Sequence, residues 1–198
     1  MIAANNVARE RTAALVHKYG PEAVDQACQM LVDQSEESFR ERLRELPDGR
    51  WESRQYFDIE DETYCVLLAM TKKDDTLHFD FSGSSEQSKY GINCAYWATW
   101  GGFFAPLFPL LCYDITWNDG VLRPISMTAP EGTIVNCTRP APISLATVGA
   151  IQSVNNAACT CISKMLSASK KYAKEATAIW HGSHFAIFMF GQNQKDEE

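Results

Sequence analysis

The chain has 198 residues, of which 45% are hydrophobic and 11% aromatic, and its formal net charge is −7. Such a composition builds a real core in one domain, or one and a half, and excludes a disordered tail. The acidic balance excludes nucleic acid as the default partner, because phosphate binding needs clustered Lys and Arg, and the one dense basic run, residues 164–174, reads as the solvated end of a helix.

Residues 3–19 have helical composition, with Val7, Leu15 and Val16 apolar among Arg9, Glu10, Arg11 and Lys18. Gly20-Pro21 closes that helix and opens the next, Pro being suited to a first turn. The second helix is predicted over 21–45. Val24, Ala27, Met30 or Leu31, Gln34, Phe39 and Leu43 follow helical spacing, and residues 36–45 read as a solvated face of Glu and Arg pairs. After the turn signal Pro47-Asp48-Gly49 the pattern alternates. Strands are predicted over 50–57, 64–70 and 77–81, with a hairpin turn at Lys73-Asp74-Asp75, giving a three-stranded antiparallel meander.

Residues 92–113 carry no charge and are long enough to cross a bilayer. Gly101-Gly102, Pro106, Pro109, Asn93 and Thr99, with no flanking Lys or Arg cluster, point instead to a helix over 92–111 buried in protein. Phe104 and Leu107 are expected in its core contact with strands 64–70 and 77–81. Short strands follow at 125–127 and 133–135, then an Ala-rich helix over 148–166, strand structure over 176–190 and a polar tail from 192 to 198. The fold class is α+β. The seven cysteines sit in apolar runs, and residues 1–19 hold Asn, Arg and Glu where a secretory leader needs an apolar stretch. Free, mostly buried thiols in a reducing cytoplasm are expected.

No nucleophile elbow, Walker A loop, dinucleotide fingerprint or zinc-protease helix motif occurs in the sequence. Candidate binding or loop-support residues come from the turn-rich blocks. In Asp80-Phe81-Ser82-Gly83-Ser84-Ser85, Asp80 and Ser82 either hold a ligand anion with the local amides or satisfy a turn. Asn93 lies in the Ile-Asn-Cys step. Asn118-Asp119-Gly120 is a turn signal, and Arg123 beside it either forms a structural ion pair or holds a ligand oxygen. Cys137 is expected to be buried and inert rather than nucleophilic. His181 and His184, three apart on an expected strand, face opposite sides and do not share a metal.

Taken in order, Phe79-Asp80-Phe81-Ser82-Gly83-Ser84-Ser85, Gly91-Ile92-Asn93-Cys94, Trp117-Asn118-Asp119-Gly120, Arg123-Pro124-Ile125, Ala129-Pro130-Glu131-Gly132-Thr133, Asn136-Cys137 and Pro140-Ala141-Pro142 resemble the hydantoinase B/oxoprolinase family. That family includes N-methylhydantoinase B and the large subunits of acetone and acetophenone carboxylases. The resemblance covers nearly the whole chain, residues 1–198, and implies the middle portion of such a subunit, without its upstream metal-motif region or its Gly-rich carboxy-terminal region. It implies ATP-dependent opening of a hydantoin or 5-oxoproline ring. A hydantoinase A-like partner would act with it in a hetero-oligomer, ATP and a divalent metal serving the complete complex and neither bound by this chain. Asn136-Cys137, where hydantoinase-like members carry Asn-Pro, draws the chain toward the carboxylase branch and a ketone substrate. The isolated chain is expected to be inactive. The other readings are a non-catalytic assembly module, marked by a wide exposed apolar face, and a truncated reading frame.

Overall fold

The computed structural model describes residues 1–179. Two helices, α1 (Ile2–Tyr19) and α2 (Pro21–Arg44), open the chain, joined through Gly20 at φ 83° with Pro21 in the first turn of α2. α1 buries no residue, and in α2 burial begins only at Ser35, followed by Phe39 and Leu43. Met30 and Leu31, expected in the apolar stripe, are 70% and 53% exposed. The first half of α2 projects past the body, so helical spacing there has no surface to pack on.

The charged half of α2 is a tether rather than the solvated face expected. Arg40 pairs with Glu36 one turn back and with Asp75 at 3.2 Å. Arg42 is nearly buried. It donates to the Leu111 carbonyl at 3.1 Å and to both oxygens of Asp114 at 2.9 and 2.8 Å. Glu45 accepts from Lys171 at 2.7 Å.

Strands β1 (Gly49–Ile59), β2 (Glu62–Lys73) and β3 (Thr76–Asp80) form the expected antiparallel meander. After β3 the chain crosses through helix α3 (Tyr96–Leu111) to β4 (Ile125–Thr128), which pairs with β3 in parallel, so the sheet order is β1-β2-β3-β4. The last helix, α4 (Ala150–Ser167), lies against α3, β1 and β2. Alternation along the strands puts Val66, Leu68, Met70, Leu77 and Phe79 on the side that α3 and α4 cover. Phe103 of α3 stacks on Phe79 with ring centroids 4.2 Å apart. The Cys161 thiol of α4 meets the Trp51 carbonyl at 3.4 Å. The other face of the sheet is polar and open at Arg50, Glu52, Arg54 and Tyr56.

Several boundaries differ from expectation. α3 begins at Tyr96, because residues 92–95 are held extended: the Cys94 amide donates to the Ile134 carbonyl at 2.7 Å and the Cys94 carbonyl accepts from the Cys137 amide at 2.9 Å. Phe104 is half-buried, and the fully buried residues of α3 at that level are Phe103 and Leu107. Residues 133–135 form no strand; Thr133 makes only single bridges, to Glu86 and Asn136, although Ile134 and Val135 are buried. Residues 176–179 carry no regular structure, and the rest of the stretch expected as strand, with His181 and His184, lies outside the described residues. Among the described residues no helix is long and apolar enough to cross a membrane.

Two glycines mark close approaches. A Cβ on Gly102 would stand 2.9 Å from Val154 Cγ1, so the small residue lets α3 and α4 touch. A Cβ on Gly120, in the short 3-10 turn Asp119–Leu122, would stand 2.0 Å from the Val32 carbonyl oxygen and 2.8 Å from the Glu36 nitrogen. Helix backbone cannot yield as a side chain can. Gly120→Ala is therefore expected to loosen α2 from the body and cost about 2–3 kcal/mol in denaturant unfolding, at the upper end of overpacking changes. A midpoint unchanged from wild type would refute this.

All seven cysteines are free thiols. Cys28 is exposed, while burial pushes Cys94, Cys112 and Cys161 up to about 12. Because only a thiolate attacks a disulfide reagent, native titration at neutral pH is expected to show one fast thiol, lost in Cys28→Ser. In denaturant all seven should react without reductant. A fast phase surviving in Cys28→Ser would contradict the assignment.

Candidate functional site

The parallel pair β3–β4 ends at Asp80 and Thr128, which face each other in register. Parallel strands direct their following loops to the same edge, and loops leaving carboxyl ends are a favoured place for ligands. Here they are the loop 81–95 and the loop 129–149. The first stays on the sheet after β3 has ended. The Ser85 amide donates to the Cys65 carbonyl at 2.9 Å, the Ser85 hydroxyl accepts from the Cys65 amide at 2.9 Å, and the Ser84 hydroxyl accepts from the Leu67 amide at 3.1 Å. Serine side chains thus continue the ladder that β3 no longer provides.

On the open face, His78 and Asp80 project from β3, and Ser126 and Thr128 from β4. His78 Nδ1 lies 2.8 Å from Ser126 Oγ, and Nε2 lies 3.2 Å from Thr128 Oγ1. A hydroxyl can both donate and accept, so Ser126 and Thr128 partner both ring nitrogens. Asp80 accepts from the Ser82 amide at 2.9 Å and the Ser82 hydroxyl at 2.5 Å. Burial pushes its carboxyl up, but the Ser82 bonds and the nearby His78 and Arg50 outweigh this and hold it below the ordinary carboxylate range. The strip therefore presents an ionised carboxylate, an imidazole and hydroxyls that can bind and exchange protons with a small polar ligand.

Asn93 lies behind this strip and is fully buried. Its oxygen accepts from the Ser88 amide at 2.6 Å. Its amide nitrogen, with two hydrogens to share, faces the carbonyls of Ser88 at 2.9 Å, Tyr90 at 2.9 Å and Pro142 at 2.8 Å. One side chain thereby pins loop 129–149 to loop 81–95. Thr99 of α3 adds a bond from its hydroxyl to the Val135 carbonyl at 2.5 Å.

Asn118 and Arg123 stand apart, at the opposite end of the parallel pair. Asn118 caps the 3-10 turn by accepting from the Gly120 amide at 2.9 Å, and donates to Ser35 Oγ at 2.8 Å and the Leu31 carbonyl at 3.2 Å. Arg123 pairs with Asp33 at 2.9 Å and Glu36 at 2.8 Å. Both residues fasten α2, and Arg123 takes the ion-pair role that was one of its two readings. Of the five candidates, then, Asp80, Ser82 and Asn93 belong to one region, whereas Asn118 and Arg123 do not. Cys137 is half-buried, and burial pushes its thiol up, away from nucleophilic use. His78, Ser126 and Thr128 escape the sequence reading. The alternation of β3 places His78 with Asp80, but nothing local to residues 125–128 announces a parallel neighbour.

Among the described residues no three His, Cys, Asp or Glu side chains converge to hold a metal ion.

A mixed sheet covered by helices on one face, with a polar strip where two parallel strands end, defines an α+β module. The chain belongs to the hydantoinase B/oxoprolinase family, which it matches over residues 1–198. It is 29% identical over 153 residues to an uncharacterised protein of Methanocaldococcus jannaschii, covering 77% of this chain and 27% of that one. A Pseudomonas protein provisionally named as the B-type subunit of a D-/L-hydantoinase is 30% identical over 155 residues, 71% of this chain and 26% of its own. The chain thus spans about a quarter of the length of the curated relatives it matches. In fold it is similar to the ATP-dependent caprolactamase of Pseudomonas jessenii, with a TM-score of 0.75 and 21% identity, over 81% of this chain and 28% of that one. It is similar also to nucleotide-free acetone carboxylase, with a TM-score of 0.73 and 20% identity, over 79% of this chain and 23% of that one.

Proposed function

We propose that this chain forms the substrate-facing middle portion of a hydantoinase B-type subunit that opens a cyclic amide in a reaction coupled to ATP. The ring would be that of a hydantoin, 5-oxoproline or a lactam. A hydantoinase A-like partner would hold the nucleotide, and the divalent metal would be bound elsewhere in the complex. The family match along residues 1–198 carries this reading, and the kinship with a protein named as one subunit of a hydantoinase supports a multi-subunit assembly. Within the chain, the Asp80 carboxylate would accept from the ring's amide N–H, and His78, oriented by Ser126 and Thr128, would be the neighbouring group able to take or give a proton. Asn136-Cys137 favours a second reading, a carboxylase-type subunit acting on a ketone.

ATP consumption with hydantoin, 5-oxoproline, caprolactam, or acetone plus bicarbonate tests both. The chain alone is expected to show no substrate-dependent turnover. Set into the Pseudomonas hydantoinase in place of the matching stretch and assembled with the other subunit of that enzyme, it should support turnover that falls by about 10²-fold or more in Asp80→Asn, the scale for losing a positioned acid–base group. Turnover by the chain alone, or an Asp80→Asn rate equal to wild type, would overturn the assignment. The ring or the ketone that is consumed chooses between the two readings.

A further inference from the structure

All 16 residues of α3 are uncharged, yet the helix is only half covered. Its inner side, with Phe103 and Leu107, enters the core. On the outer side Trp97 is 76% exposed, and Gly101, Ala105 and Pro109 follow it at one-turn spacing, all exposed. Beside that shallow row runs an aromatic ridge. Trp100 and Phe104 stack 5.3 Å apart, Phe104 and Phe108 5.0 Å, and Phe108 and Trp117 4.3 Å. The buried indole N–H of Trp100 has no acceptor among the described residues. A second apolar exposure lies nearby. Ile143, Leu145 and Val148 are 53%, 50% and 40% exposed, and the Leu145 amide donates to the Gly91 carbonyl, just before the extended step into α3.

We infer that the outer face of α3 is an internal seam of the larger hydantoinase B-type fold, covered by a further length of that fold rather than by lipid or a second copy of this chain. Water is a poor partner for the exposed Trp97 and the aromatic ridge beside it. Lipid is disfavoured by the helix length and by Pro106 and Pro109. Two separate exposures, one on α3 and one in loop 129–149, suit a longer covering segment. The amount of fold available is ample, since the chain accounts for about a quarter of its relatives. The covering segment would present a backbone carbonyl or hydroxyl to Trp100 Nε1 and apolar side chains to the row between Trp97 and Pro109. This rests on family membership and not on the reaction, so failure of the proposed activity leaves it standing.

Carbene footprinting and sedimentation velocity decide it, on the free chain and on the chain set into the Pseudomonas hydantoinase. In the free chain, Trp97 and Ala105 should label strongly, with a monomer or ill-defined association in sedimentation. In the chimaera their labelling should fall several-fold. Ala105→Glu should raise the soluble yield of the free chain and lower that of the chimaera, opposite signs that a uniformly damaging substitution cannot give. A discrete dimer of the free chain, broken by Ala105→Glu, would make a second copy the occupant. Weak labelling in the free chain would mean that its own residues already cover the face. Equal labelling in both forms, or a chimaera that fails to fold, would also overturn the inference.

Discussion

Phe103→Ala is expected to cost about 4 kcal/mol of stability, within the range for truncating a buried Phe. The ring is fully buried and packs on Phe79 at 4.2 Å, Trp100 at 5.1 Å and Phe104 at 4.9 Å. It also reaches Phe81 at 6.5 Å, so one side chain joins the crossover helix to the strand that ends at the candidate site. Alanine would leave a void bounded by stiff aromatic rings, which collapse poorly. The neighbouring Phe104→Ala is the control. Its ring is half-buried on the outer side of α3, so the same truncation should cost less than half as much. Urea unfolding of both variants is the measurement. Equal losses would place Phe104 in the core and deny the orientation of α3.

Asn93→Ala is expected to cost about 3–4 kcal/mol, because removal takes the partner from the Ser88 amide and from the carbonyls that share the two hydrogens of the Asn93 side chain. The effect should be local as well as energetic. Loops 81–95 and 129–149 lose their common pin, so amide exchange should rise at Ser88 and Tyr90 before it rises in β1 or β2. Asn93→Asp separates shape from donor chemistry. Its carboxylate would face three carbonyl oxygens, so the folded pKa would lie above the unfolded value of about 3.9. Stability should then be greatest below the unfolded pKa and fall as pH rises through the folded one. A variant that is equally stable at acidic and neutral pH would show that the three carbonyls do not face the side chain.

Much of the architecture is written locally. The meander is legible in the alternation of 64–70 and 77–81, and the helix breaks at Gly20-Pro21 and Pro47-Asp48-Gly49 fall where turn chemistry requires. What failed depends on distant neighbours. Met30 and Leu31 have core spacing but no body beneath them. Gly120 looks like a turn residue, yet its lack of a side chain is demanded by the backbone of α2. The candidate site was half visible. Asp80, Ser82 and Asn93 sit in recognisable blocks, while His78 gains its meaning only from hydroxyls contributed by β4.

The parallel pairing of β3 with β4 bears on how the protein is made. Consecutive strands of the meander meet across short turns, but His78 and Ser126 are 48 residues apart. A ribosome adding about 5–20 residues per second completes the first three strands seconds before β4 emerges. During that interval the free edge of β3 is unpaired and α3 has no finished sheet to rest on. Until β4 arrives, the apolar residues of α3 and the edge of β3 stay open to wrong partners, as slow long-range pairing leaves them.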